Sequence, residues 1–196
     1  MPENSFSRKE GFTLIETVIS LVLISLLLTT ALIIIKNQTI ATYRVGEAAE
    51  MEDNLRIAAY WLAKDIREAE RVVKTGSGIG MENAFIMKKG ENEYVSYFYG
   101  TPSRPNIFYR GTGTNYNVNT HTLQPLTNEY LFGGTSKGYV RGWKIEYLRN
   151  DGKPAANPGE VVLVKFALYG SYSGRDDPDK YKCLASSAYI RVRVSP

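Results

Sequence analysis

The run "TVISLVLISLLLTTALIII", residues 17–35, carries no charged side chain over nineteen residues. As a helix rising about 1.5 Å per residue it covers close to the roughly 30 Å hydrocarbon thickness of a bilayer. It is longer than a secretory h-region of about 7–15 residues, and no A-x-A site follows it. Cleavage behind the run is therefore not expected. One carboxylate, Glu16, sits at its apolar N-terminal end. A charge at the bilayer centre costs roughly 2.5–3.5 kcal/mol and somewhat less near an interface, so such a residue usually has a partner. Arg8 and Lys9 precede the run, and Lys36 and Arg44 follow it. The closer pair, at the short N-terminal end, favours a cytoplasmic N-terminus.

Apolar residues continue beyond Ile35. Leu55, Ala59, Leu62, Ile66, Ala69 and Val73 recur at spacings of four or three, one face of an α-helix. Glu52 and Arg56 form an i, i+4 pair. No proline lies between Phe12 and Lys74, so one continuous helix is allowed, with Gly46 and the polar stretch 37–42 as its weak points. A two-stranded coiled coil is the competing reading. The pattern lasts under three heptads and then meets "TGSGIG", residues 75–80, which reads as a linker.

From Asn83 onward the character changes. "EYVSYFYG" (93–100), "NIFYRG" (106–111), "GYVRGWKIEYLRNDG" (138–152), "GEVVLVKFALYG" (159–170) and "SAYIRVRV" (187–194) read as strands between Gly, Pro and Asn clusters. Trp143, Ile145 and Tyr147 alternate with Lys144 and Glu146, as one buried and one exposed face require. One helix followed only by strands predicts an α+β fold, an antiparallel sheet packed on one face by the amphipathic half of the helix.

Charge and the rarer residues narrow the chemistry. Residues 12–73 carry six Lys/Arg against eight Asp/Glu, and residues 74–196 sixteen against ten. A basic head holding twelve of the fourteen tyrosines admits single-stranded nucleic acid, although sheet-core tyrosines explain the pattern more simply. The single cysteine, Cys183, cannot close an intrachain disulfide, so packing must hold the head together. It reads as a small apolar residue near a strand start. The one histidine, His121, lies in a polar stretch and reads as a surface residue. One histidine and one cysteine support no nucleophile–base–acid arrangement, and no enzyme activity or cofactor is expected. Asp176, Asp177 and Asp179 crowd one loop as candidate Ca²⁺ ligands, but EF-hand spacing is absent and Pro178 suits an ordinary turn.

"KEGFTLIE", with its basic leader, Gly11, Phe12 and Glu16, resembles the processing site of type IV pilin precursors and type II secretion pseudopilins. The resemblance implies that a prepilin peptidase cuts between Gly11 and Phe12 and methylates the new N-terminus of Phe12. It also implies that Glu16 neutralises the N-terminal amine of a neighbouring subunit during assembly. "RIAAYWLAKDIREAERV" is similar to the second helical half of PilW-like minor pilins and J-type pseudopilins. The expected organisation is a leader 1–11, a transmembrane or filament-core helix 12–35, an amphipathic helix 36–73 and a β-rich head 74–196. Implied partners are the peptidase, other pilin or pseudopilin subunits and an inner-membrane assembly platform. The head is expected outside the cytoplasm, on a single-pass inner-membrane protein bound for a pilus, a secretion pseudopilus or a competence pseudopilus. A membrane-tethered adhesin or DNA-binding surface domain that never polymerises is the alternative.

Overall fold

In the computed structural model of the chain, residues 13–76, 80–100, 107–127, 142–171 and 181–190 are described. Helix α1 spans Leu14–Glu68. The chain divides between Val45 and Gly46 into two units, each described by itself below.

In the first unit every described residue is solvent-exposed. Leucines, isoleucines and valines from Leu14 to Ile35 lie on all sides of the helix with half or more of their surface uncovered. The hydroxyls within this run bond back onto their own helix. Ser25 Oγ donates to Val22 O at 2.8 Å, Thr29 Oγ1 to Ser25 O at 2.8 Å and Thr30 Oγ1 to Leu26 O at 2.8 Å. A helix that satisfies its polar groups internally and is apolar all round suits lipid or a protein core. It is long and apolar enough to cross a membrane.

In the second unit the helix becomes two-faced. Met51, Leu55, Ala58, Leu62, Ile66 and Ala69 are buried, whereas Ile57 and Tyr60 stay exposed. The helix stops at Glu68, five residues short of the predicted end. Glu70 N–H bonds to Lys88 O at 2.8 Å, and Arg71–Lys74 becomes strand β1. Val72 and Val73 are β-branched, and pairing with the next strand outweighs the helical spacing that Val73 continues.

The strands form two antiparallel sheets, where the sequence reading expected one. The first is a meander of β1, β2 (Phe85–Gly90), β3 (Glu93–Tyr99), β4 (Phe108–Gly113) and β5 (Thr122–Pro125) in sequence order. The second is a meander of β6 (Trp143–Leu148), β7 (Leu163–Ser171) and β8 (Tyr181–Tyr189). The strand predicted over 187–194 thus begins earlier, because Tyr181–Tyr189 pairs along the whole of β7. Its residues beyond Ile190 lie outside the described part of the chain.

Alternation divides the first sheet between two cores. Phe85, Met87, Val95, Tyr97, Tyr99 and Phe108 join the helix face, and Trp143, Ile145, Val164, Phe166 and Leu168 of the second sheet complete that core. Phe108 meets the Trp143 ring edge-on, centroids 5.2 Å apart. Ile86, Phe98 and Tyr109 point the other way, into a smaller cluster closed by Ala84 and Val118. The Tyr147 hydroxyl donates to Gly76 O at 2.6 Å, tying the segment after β1 to the second sheet. Gly142 has φ +67°, and a Cβ there would stand 2.7 Å from the Tyr99 ring. Both the left-handed backbone and the close approach exclude a side chain.

Candidate processing and assembly site

The described part of the site begins at Thr13, immediately before the helix. Thr13 N–H donates to Glu16 Oε2 at 3.0 Å, and Thr13 Oγ1 donates to the same oxygen at 2.9 Å. In return Glu16 N–H donates to Thr13 Oγ1 at 3.3 Å. This is a capping box: Thr13 is the N-cap and Glu16 the third helical residue, each satisfying an otherwise orphaned backbone donor of the other. The carboxylate also lies at the positive end of the helix dipole. Glu16 therefore has a partner within its own chain, one the sequence reading overlooked although T-x-x-E spells it. Gly11 and Phe12 lie outside the described residues, as do Asp176, Asp177 and Asp179. Among the described residues no group of three or more His, Cys, Asp or Glu side chains is placed to hold a metal ion.

A second carboxylate on the helix, Asp65, is fully buried in the head and was not singled out from the sequence. Arg110 on β4 donates to it through Nε at 2.7 Å and Nη2 at 3.3 Å. Tyr97 on β3 donates its hydroxyl at 2.6 Å, and Lys89 on β2 its ammonium at 3.0 Å. Lys89 also pairs with Glu68 at 2.5 Å. Burial alone would raise the Asp65 pKa, but the bonds from Arg110, Tyr97 and Lys89 outweigh it and hold the carboxyl below its usual range. Burial, followed by the Asp65 charge, pushes Tyr97 far above the ordinary tyrosine value. Three neighbouring strands thus converge on one helical residue. The Arg110 guanidinium in addition lies over the Trp61 ring, 4.9 Å from its centroid. Through these bonds the cluster ties β2, β3 and β4 to the helix.

His121 is buried, contrary to the surface position expected from its polar surroundings. Its Nε2 lies 2.7 Å from Asn115 O and its Nδ1 2.8 Å from Ser96 Oγ. A carbonyl can only accept, so Nε2–H donates to Asn115 O, and Nδ1 shares the second bond with the Ser96 hydroxyl. Glycines make the room: a Cβ on Gly113 would stand 2.3 Å from the imidazole. Ser96 is itself fully buried, so the pair staples the 114–121 loop to the sheet and presents no accessible nucleophile. Cys183 is exposed on β8.

Residues 6–32 match the family described as the prokaryotic N-terminal methylation motif. The match takes in Gly11, Phe12, the Thr13–Glu16 capping box and most of the apolar run. This motif, together with the α+β architecture, supports a type IV pilin- or pseudopilin-like protein. The motif implies in general a prepilin peptidase and assembly with other pilin subunits, and together with the apolar helix it is consistent with a membrane-anchored pilin. No curated protein matches the chain, and no solved structure does.

Proposed function

We propose that the chain is a minor pilin or pseudopilin, a structural subunit of a type IV pilus or of a secretion or competence pseudopilus, and not an enzyme. Prepilin peptidase cuts between Gly11 and Phe12, and Phe12 becomes the methylated N-terminus. The apolar helix first holds the subunit in the cytoplasmic membrane, with the head on the far side, and then enters the filament. The observation that carries this reading is the methylation motif of residues 6–32 opening a helix whose apolar surface is uncovered.

The capping box gives the Glu16 role a physical basis. Cleavage would leave a cationic amine at Phe12, one residue before the N-cap. That amine would sit at the positive end of its own helix dipole, where a cation is disfavoured. A carboxylate from a neighbouring helix relieves it, and in low dielectric neither charge is tolerable alone. Glu16 is a suitable donor of that charge, because the capping box already holds it at a defined place on the helix.

The test uses mass spectrometry of the mature protein and incorporation of Glu16 variants. The mature chain should begin at methylated Phe12. Glu16→Gln, which keeps capping capacity without charge, should be cleaved normally yet fail to enter the filament. A mature chain that retains residues 1–11 beside active peptidase would refute the processing step. Normal incorporation of Glu16→Gln would refute the charge role.

A further inference from the structure

Of the four outer strands in the two sheets, three are protected against adding another strand. β1 has four residues with Arg71 and Lys74 at its ends and a register shift between Val72 and Lys74. β5 has four residues and closes on Pro125. β6 carries Lys144 and Glu146, and its end is met by a bridge from Leu148 to Pro154. Short length, charge, proline and bulges are the usual ways of blunting an edge. β8 is the least protected: it runs for nine residues, its one charge is Lys182 near its start, and from Cys183 to Tyr189 it holds neither charge nor proline. Among the described residues no strand pairs with its outer side.

The register shows which groups that edge offers. Ile190 N–H bonds to Val162 O, and Tyr169 N–H bonds to Gly142 O. Antiparallel pairing alternates, so the even-numbered residues of β8 turn their backbone toward β7. Cys183, Ala185, Ser187 and Tyr189 therefore direct their N–H and C=O groups outward, and their side chains are exposed. Small side chains, Ala185 and Ser187, floor the adjoining groove, and Lys165 rises beside Ser187 on β7. Lys144 is neutralised by Glu146 at 3.0 Å. Lys165 has no ion-pair partner among the described residues.

We propose that β8 is a docking edge for an extended, acidic segment of a partner protein, which adds to the second sheet as a further strand. A strand beside β8 lies about two strand spacings, roughly 9.6 Å, from β7. A glutamate on it and Lys165 bridge that gap across the low side chain of Ser187, where a larger residue would block them. Main-chain bonds supply affinity, and the lysine selects acidic over basic segments. The inference stands on the head alone and does not depend on the filament reading.

The test uses the full chain in detergent micelles and two fluorescent probe peptides, Thr-Val-Glu-Val-Thr-Val-Glu-Val and the same sequence with lysine for glutamate. The acidic probe should bind about tenfold more tightly than the basic one and slow hydrogen exchange at the Cys183, Ala185 and Ser187 amides. Ala185→Pro removes an outward donor without touching a β7 bond and should weaken binding about tenfold. Lys165→Glu, an exposed change that spares the fold, should reverse the preference between probes. Absence of binding, equal binding of both probes, or protection at other amides would overturn the proposal. So would a concentration-dependent dimer protected at these same amides, which would make a second copy the occupant.

Discussion

Glu16 and Asp65 are two carboxylates on one helix, and they differ in where their partners are. Asp65 is enclosed by its own chain, with Arg110, Tyr97 and Lys89 all donating to it. Glu16 is exposed, and its carboxylate is bonded only to Thr13 among the described residues. The apolar residues around them divide in the same way. Leu62 is fully buried, whereas Leu23 is 56 % exposed. A carboxylate and an apolar face satisfied internally define a folded head. The same residue types left open define a surface that another phase, lipid or protein, must complete.

The comparison breaks most readily at Asp65. Asp65→Ala leaves Arg110 and Lys89 without their shared anion, and should destabilise the head by about 3–5 kcal/mol. Both tryptophans, Trp61 and Trp143, lie in the second unit, so denaturant unfolding of the full chain in detergent, followed by their fluorescence, reports on that unit alone. A loss under about 1 kcal/mol, the worth of an exposed pair, would show that the buried cluster does not hold the sheet to the helix. The pH dependence has a definite sign. The Asp65 pKa is lowered on folding, so its contribution is present above the unfolded value of about 3.9 and is lost as pH falls through the folded value. Asp65→Asn should remove that part of the acid transition. Tyr97, raised on folding, acts at the other end: its contribution is present below about pH 10 and is lost above it.

A matched pair of leucines comes next in size. Leu62→Ala should cost about 2–5 kcal/mol through lost burial and a residual cavity. Leu23→Ala should leave tryptophan-monitored unfolding within about 0.5 kcal/mol of the parent, as surface positions do. Equal losses would mean that the first unit's apolar surface is covered by the chain itself, and the case for lipid or a filament core would fail.

Much of this arrangement was legible in the residues. β3 and β6 fall within the runs where alternation or aromatic content marked strands, and β4 and β7 overlap theirs, continuing to Gly113 and Ser171. β2 did not show, because Phe85, Ile86 and Met87 are all buried and a strand covered on both faces does not alternate. β1 was hidden by Val73, which continues the helical spacing from Ala69 until strand pairing overrides it. β8, "YKCLASSAY", is poor in β-branched residues, and its register comes from β7. Asp65 falls three residues after Leu62 and one before Ile66, on the buried face; a carboxylate at such a position already asks for cations on the facing strands. For His121 only the folded sheet reveals the space over Gly113.

The smallest expected effect concerns the first turn of the helix, and it separates two properties of Glu16. As a cap, the residue needs an acceptor oxygen at the third helical position, which glutamine also supplies. As an assembly residue, it needs charge, which glutamine lacks. Glu16→Ala should therefore speed hydrogen exchange at the Thr13 and Glu16 amides, while Glu16→Gln leaves it near the parent rate. Neither should change the tryptophan-monitored unfolding of the head. Should both variants fray the first turn equally, charge and not bonding geometry holds the helix start, and Glu16 could not be shared with a neighbour's amine without loosening its own helix.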